Sequence, residues 1–468
     1  MQTRIHVLQE SLQKLLRRNA TQHAARLLKR ARPVDVAVIF RVLELSQQKR
    51  VFELLPDNTT KAEMLSELDE HLIAPLLEQF AEAELTAILL EMSDDDQADF
   101  LAALPSEKRE RLMEALRPAD AEGVEELLHF DPETAGGIMS TEYFALTSAT
   151  TAKEAITALQ NVEDVEMAFY IYTVNEHGHL VGVVSLRALV IHPPSTPLAD
   201  LMVTDVISCT VDTDQEEVAR LAARYNFLAI PVVDSGNHLV GIVTIDDVVD
   251  VIREEATEDI LKMAGADETA YESPSVLVNV RTRAPWLFAT WLAGLAASLL
   301  IGVFEDQLTK TVALAAFIPV VLGMGGNVGS QTATIIVRGL ATGRVSSGLG
   351  ARYLFREIGI GLLLGTLYGA LIGIYTVFAY GESETLLSQP FPSSIWLFLD
   401  GVWQLALTIG VSIFMSMAMS AFVGATTPLL FSRLSIDPAV ATGPIVTTTV
   451  DVLGTLTYFL AAALILGT

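Results

Sequence analysis

The chain changes its hydrophobic rhythm twice. Over residues 1–136 apolar side chains recur at spacings of three and four, as in VAVIFRVLEL and LTAILLEMSDDDQADFLAALP, and Pro or Asp-rich breaks cut the pattern into short pieces. That spacing lines one face of a helix, so a small all-α domain is expected, built as a superhelix of helix pairs. Over residues 137–255 short runs rich in Val and Ile alternate with helical stretches, the pattern of an α/β unit. Residues 256–284 read as a connecting helix, and from Pro285 onward five apolar stretches follow, roughly 285–304, 311–337, 358–379, 395–422 and 439–467. Each is long enough to span a bilayer, which makes the last part an α-helical transmembrane domain.

The α/β region contains an internal repeat of 59 residues. VNEHGHLVGVVSLRALV lies over VVDSGNHLVGIVTIDDVV, so that His179 meets His238, Gly182 meets Gly241 and Ser185 meets Thr244. Upstream, IMSTEYFALTSATTAKEAITAL matches LMVTDVISCTVDTDQEEVARLA. Each unit reads strand, helix, strand, turn, strand, helix, and the pattern resembles a tandem CBS pair with units at 137–198 and 199–255. CBS modules often bind adenine nucleotides through a Thr-x-x-Asp after the last strand. Here Thr244 and Asp247 supply it in the second unit, whereas the first has Ser185 and then Ala188. At most one complete nucleotide site per pair is implied, and a module used only for dimerisation and ion sensing is the alternative.

Charge divides the chain at the same place as hydropathy. The formal charge is −27 although 51% of residues are hydrophobic. Residues 1–284 hold 49 Asp and Glu against 24 Lys and Arg, and residues 285–468 hold 8 against 6. So acidic a front half disfavours nucleic acid and anionic lipid and suits multivalent cations. The single cysteine, Cys209, excludes a disulfide framework and a thiolate metal cluster. The N-terminus lacks an apolar h-region, so no cleaved signal is expected and the acidic half should be cytoplasmic. Arg281 and Arg283 precede the first span and Arg338, Arg344, Arg352 and Arg356 lie between the second and third, whereas Glu305, Asp306, Glu382 and Glu384 lie in the other loops. By the positive-inside rule the C-terminus is outside.

Two constellations carry chemistry. In the last span Asp451 stands with no Lys, Arg or second acid, a costly residue at bilayer depth and therefore a functional candidate. Thr447 and Thr448 precede it by four and three residues, and Gly454 and Thr455 follow at the same spacings, giving a polar strip on one helix face. A carboxylate with hydroxyls and carbonyls suits a hard cation such as Mg2+ that retains several waters. Pro444, lacking a donor, is expected to free carbonyls near the start of this span. In the second span GMGGNVGSQTAT combines glycines with Asn327, Ser330 and Gln331, which need polar partners in a dry environment. The other constellation is TIDDVVDVIREEATEDILKMAG, where Asp247, Asp250, Glu254 and Glu258 form one helical stripe with Asp246, Glu255 and Asp259 alongside, offset only by Arg253 and Lys262.

The order of acidic helical domain, CBS pair, acidic connecting helix and five spans resembles the MgtE family of magnesium channels. So do GGNVGSQ at 325–331, DPAVATGP at 437–444 and TTTVDVLG at 447–454. The resemblance implies a homodimer in the inner membrane that admits Mg2+ through a pore between its membrane domains, with Asp451 the ion-binding residue. It also implies that the connecting helix is a plug and that cytoplasmic Mg2+ closes the channel. The matching regulatory positions are Asp95, Asp99, Asp247, Asp250, Glu255, Glu258, Asp259 and Asp437, with Asp214 and Glu216 as additions. Asn226 stands where an Asp is expected, and Gly443 stands where a relative carries Asn. The rival readings are a transporter of another divalent cation such as Co2+ or Mn2+, and a nucleotide-sensing CBS receptor without ion flux. No P-loop, strand-turn nucleophile or His and Cys cluster supports an enzyme.

Overall fold

A computed structural model of the chain describes residues 2–68, 70–116, 118–162, 169–267, 270, 275–345, 350–380 and 401–466. They form two compact units, Met1–Arg253 and Glu254–Thr468. The expected start of the fourth span at 395 and the acidic loop with Glu382 and Glu384 lie outside the described residues.

The first unit begins with ten helices, Gln2–Arg17 to Pro118–Leu127, most of eight to ten residues. Their stacking reveals a repeat that the apolar rhythm alone did not. Helices Pro33–Phe40, Asn58–Leu65, Glu82–Leu89 and Ser106–Ala115 start at 33, 58, 82 and 106 and pack in one row. Leu45–Glu53, Glu70–Leu77, Asp94–Ala102 and Pro118–Leu127 form the second row. The helices are too short to be stable alone, so each row depends on its neighbours, as in a solenoid. Phe40, Phe52, Leu77, Leu85 and Leu101, all nearly inaccessible to solvent, fill the space between rows.

The expected pair of α/β repeats follows. Strand β1 (Ala145–Thr147) runs parallel to β2 (Tyr170–Val174), which pairs antiparallel with β3 (Leu180–Ser185). Strands β4 (Cys209–Thr210), β5 (Ala229–Val233) and β6 (Leu239–Thr244) repeat the order and the directions. The two units exchange elements: Met202 lies where a Cβ on Gly182 would be, 2.6 Å from its sulfur, and Met139 stands in the same relation to Gly241. The 59-residue offset also reaches the turns, since Gly178 (φ +82°) and Asn237 (φ +64°) occupy equivalent left-handed positions. There His179 and His238 bridge and stack with centroids 4.4 Å apart. Asn226, conspicuous in the sequence for replacing an expected Asp, caps the helix Gln215–Tyr225 at φ +56°, a conformation Asn accepts at low cost.

The linking helix Ile245–Met263 grows directly from β6 and ends well before the expected limit of 284. A separate helix begins at Val276 and runs unbroken through Pro285 to Val303, so Pro285 lies inside the first span instead of opening it. Helices Ala313–Ala341, Gly350–Tyr380, Gly401–Arg433 and Pro444–Leu466 complete five lengths able to cross a membrane. The fourth is central and packs on the second, third and fifth. Glycines make this possible. A Cβ on Gly365 would lie 2.9 Å from the Phe414 carbonyl oxygen, one on Gly369 2.5 Å from that of Gly410, and one on Gly424 would collide with that of Gly329. In lipid, where apolar burial gives no advantage between helices, such close backbone approach supplies the packing.

Candidate functional site

In the membrane unit the fourth span carries a column of polar residues, Gln404, Thr408, Ser412, Ser416 and Ser420, all buried. Most of these are satisfied within their own helix: Thr408 donates to the Gln404 carbonyl at 2.8 Å, Ser412 to Thr408 at 2.6 Å and Ser420 to Ser416 at 2.7 Å. Such back-bonding is the ordinary behaviour of helical Ser and Thr, and it makes this column packing material.

Asp451 differs. Its carboxylate is half-buried on the fifth span, and no hydrogen bond or ion pair reaches it among the described residues. The hydroxyls beside it are anchored: Thr447 donates to the Gly443 carbonyl at 3.0 Å, Thr448 to Ile445 at 3.1 Å, and Thr455 to the Asp451 carbonyl at 2.7 Å. Thr447 and Thr448 therefore do not cap the carboxylate, and their oxygen lone pairs remain able to accept. Pro444 is the first residue of its helix, where a missing N–H costs nothing, so it frees no carbonyl within the span, contrary to expectation.

The second span presents two faces. Gly325 and Gly329 fit against Ser416, Ser420, Val446 and Val450 of the fourth and fifth spans, whereas Gly323 and Gly326 face open space. Asn327, Gln331 and Thr334 are exposed on that open side. A polar helix face cannot rest in hydrocarbon without water or a partner.

The carboxylates of the first unit form a different arrangement. Asp94 starts the helix Asp94–Ala102 and fastens it to the first CBS unit, its Oδ1 accepting from Ser140 Oγ at 2.8 Å and its Oδ2 from the Thr141 amide at 2.9 Å and from the Thr141 hydroxyl. Asp95 beside it is buried with Oδ1 unmatched. Burial, and then the nearby Asp96 and Asp94, push its carboxyl up to about 6. Burial also raises Asp247 well above the usual carboxylate range, with Asp95 and then Asp246 adding to the effect. Asp96 is raised by burial and by Asp246. Asp94, Asp96 and Asp246 thus join Asp95 and Asp247 in one strained acidic group. Thr244 Oγ lies 2.5 Å from both Asp246 Oδ1 and Asp247 Oδ2, so the Thr-x-x-Asp pair expected to hold a nucleotide closes on itself.

A cleft of about 480 Å3 lies instead beside the first repeat, lined by Phe169, Tyr170, Ser185, Arg187 and Leu228 among others. Asp214 caps its helix by accepting from the Glu216 amide at 2.9 Å, Glu216 pairs with Arg220 at 3.3 Å, and Asp250 pairs with Arg253 at 2.9 Å. Asp99 and Glu254 are exposed and Glu255 is half-buried.

In the second unit Glu258, Asp259 and Asp437 come together. Burial raises Asp259 and the neighbouring Asp437 adds to it. Lys262, which sequence reasoning noted only as an offset to the acidic run, stands at their centre. Among the described residues no group of three or more His, Cys, Asp or Glu side chains is arranged to hold a metal as it stands.

An acidic helical solenoid, a CBS pair and five helices long and apolar enough to cross a membrane, one of them carrying a carboxylate unpartnered among the described residues, fit the class of membrane transport proteins for cations. Comparison with known proteins agrees region by region. Residues 31–133 match the MgtE intracellular N domain, 135–193 and 198–254 match CBS domains, and 318–461 match the MgtE divalent cation transporter domain. The chain is 37% identical over 463 residues to the magnesium transporter MgtE of Thermus thermophilus, covering 97% of this chain and 98% of that one. To its Bacillus subtilis counterpart it is 33% identical, over 91% of this chain and 90% of the other. Among solved structures, the cytosolic domain of the Mg2+ channel MgtE in complex with ATP aligns with 52% of this chain and 99% of its own length, at 39% identity and a TM-score of 0.49. The chain belongs to the MgtE family of divalent cation transporters.

Proposed function

We propose that the protein is a homodimeric Mg2+ channel of the inner membrane that admits Mg2+ to the cytoplasm and is closed by cytoplasmic Mg2+. The observation that carries the reading is Asp451, a carboxylate within the membrane domain to which the described residues offer no donor or cation. An incoming cation compensates a charge that would otherwise be costly at that depth. With Thr447 and Thr448 it gives an all-oxygen lining for an ion that keeps part of its water shell. In a dimer two such strips face one another, and the open polar side of the second span, with Asn327 and Gln331, is placed to meet water or the second subunit. The N-terminal unit is cytoplasmic and the C-terminus outside.

Regulation follows from the acidic groups. Without Mg2+ the carboxylates around Asp95, Asp246 and Asp247 and those of Asp99, Asp214, Glu216, Asp250, Glu254, Glu255 and Asp259 repel. With Mg2+ they are bridged and the closed arrangement is favoured, a differential affinity of the ion for one state. The cleft at Phe169, Tyr170 and Arg187 suits ATP better than Thr244 and Asp247, because it offers aromatic faces for a base and a guanidinium for phosphate.

Purified protein in liposomes tests the reading. Mg2+ flux should exceed Co2+ and Mn2+ flux and should fall as Mg2+ on the cytoplasmic face rises. Neutralising Asp250, Glu255, Glu258 and Asp259 together should abolish that fall. Tight ATP binding without any ion flux would replace the channel by a nucleotide receptor.

A further inference from the structure

Lys262 places its ammonium 2.5 Å from Glu258 Oε1 and 2.7 Å from Asp437 Oδ2. Glu258 is one turn earlier on the linking helix, whereas Asp437 lies 175 residues away, in the loop that opens the fifth span. The other oxygen of Asp437 is already engaged, since Oδ1 accepts from the Ala439 amide at 2.8 Å and caps the short helical turn Ala439–Ala441. Both oxygens of this carboxylate are therefore used by the protein itself, one by a backbone N–H and one by a side-chain cation.

The backbone on either side is fitted to the same contact. A Cβ on Gly443 would lie 2.6 Å from the Met263 carbonyl oxygen, and one on Gly265 (φ +69°) would lie 3.0 Å from the Pro444 ring. The end of the linking helix and the start of the pore helix thus approach through two glycines. This gives Gly443 a role other than the side-chain role in doubt from the sequence: any side chain there would push the linking helix away. Asp259, half-buried and held high by burial and by Asp437, borders the contact.

We infer that Lys262 is a built-in cation that latches the linking helix to the pore loop at Asp437 and occupies the carboxylates a divalent ion would otherwise take. The inference rests on the proposed gating by the linking helix. In the closed arrangement one of the cation positions at the membrane is filled by an ammonium tethered to the chain, so it needs no free Mg2+. Lys262 then sets the threshold: part of the closing force is present at any Mg2+ concentration, and cytoplasmic ions supply only the remainder. A Mg2+ ion at Glu258 and Asp437 and the ammonium exclude each other, because two cations cannot share the same pair of oxygens without strong repulsion.

Mg2+ flux of the full-length protein in liposomes, titrated with Mg2+ on the cytoplasmic face, provides the test. Lys262→Met should raise flux at the lowest internal Mg2+, move half-inhibition upward by about threefold to fivefold, as expected for losing a partly exposed pair of charges, and steepen the curve because two carboxylates become available to the ion. Lys262→Arg should restore the wild-type threshold, which guards against mere misfolding of the Met variant. Lys262→Met combined with Asp437→Asn should keep the raised flux at the lowest internal Mg2+ but lose the added steepness, because the freed pair of carboxylates is then incomplete. A Lys262→Met curve superimposed on a Mg2+-sensitive wild type would overturn the latch and leave the gating reading intact. A wild type whose flux ignores internal Mg2+ would remove both.

Discussion

Asp94 and Asp451 are both carboxylates withdrawn from water, and they are used in opposite ways. Asp94 is surrounded by donors, the Ser140 and Thr141 hydroxyls and the Thr141 amide, and it welds the helical solenoid to the CBS pair. Asp451 meets none among the described residues, although Ser and Thr are plentiful around it, because their hydroxyls bond to carbonyls of their own helices. A buried charge that is matched contributes to structure; one left unmatched is a demand for a ligand. Asp95 stands between the two cases, in a soluble domain yet with an oxygen left unmatched beside other acids.

That comparison is open to direct attack. Asp451→Asn keeps the volume and removes the charge, and Mg2+ uptake by liposomes should fall to background while the protein remains folded; normal uptake would show that the unmatched carboxylate is not on the ion path. Asp94→Ala should destabilise the cytosolic unit by about 1–3 kcal/mol, the usual cost of leaving buried donors without their acceptor, measured by denaturant unfolding. Gly424→Ala should cost a similar amount, about 1–3 kcal/mol, because its Cβ meets the Gly329 carbonyl oxygen. Its effect should appear as lower thermal stability of the membrane domain with little change in internal Mg2+ sensitivity. Asp95→Asn should act in the reverse sense to Asp94→Ala, raising the melting temperature slightly in Mg2+-free buffer and reducing the further rise that Mg2+ produces.

Asp95 also carries a pH dependence with a definite sign. Its folded carboxyl titrates at about 6 against an ordinary 3.8, so the native state binds more protons than the unfolded chain between those values. Stability from this group is present below pH 4 and is lost as pH rises through 6; Asp247 and Asp96 shift in the same direction. Under the proposed regulation, Mg2+ bridging these carboxylates restores what ionisation removes. The Mg2+-induced rise in melting temperature should therefore be larger at pH 7.5 than at pH 5, and Asp95→Asn should narrow the difference.

Much of this was legible in the chain. The two changes of hydrophobic rhythm marked the three regions, the 59-residue repeat foretold two sheets with identical strand order, and five apolar stretches became five long helices. Asp451 was conspicuous because nothing else in its segment is charged. The boundaries were less legible. Pro285 reads as the start of a span and lies within a helix, because proline in a long apolar helix costs less than ending the helix in lipid. The superhelix of helix pairs was legible, but the length of its repeat was not, because that lies in helix spacing and not in recurring residue types.

The sequence by itself determined which segments are helical or extended, which cross the membrane and where charge accumulates, since these follow from periodicity, length and transfer free energy along the chain. Only the tertiary structure decided which carboxylates are matched. Asp94 and Asp95 are neighbours in one acidic run, yet one faces donors from the CBS pair and the other faces acids. Thr244 and Asp247 hydrogen-bond to each other, and Asp437 finds its cation in Lys262. Hydrogen bonds and ion pairs act over about 3 Å, so their partners are fixed by packing between distant segments, which local pattern does not encode.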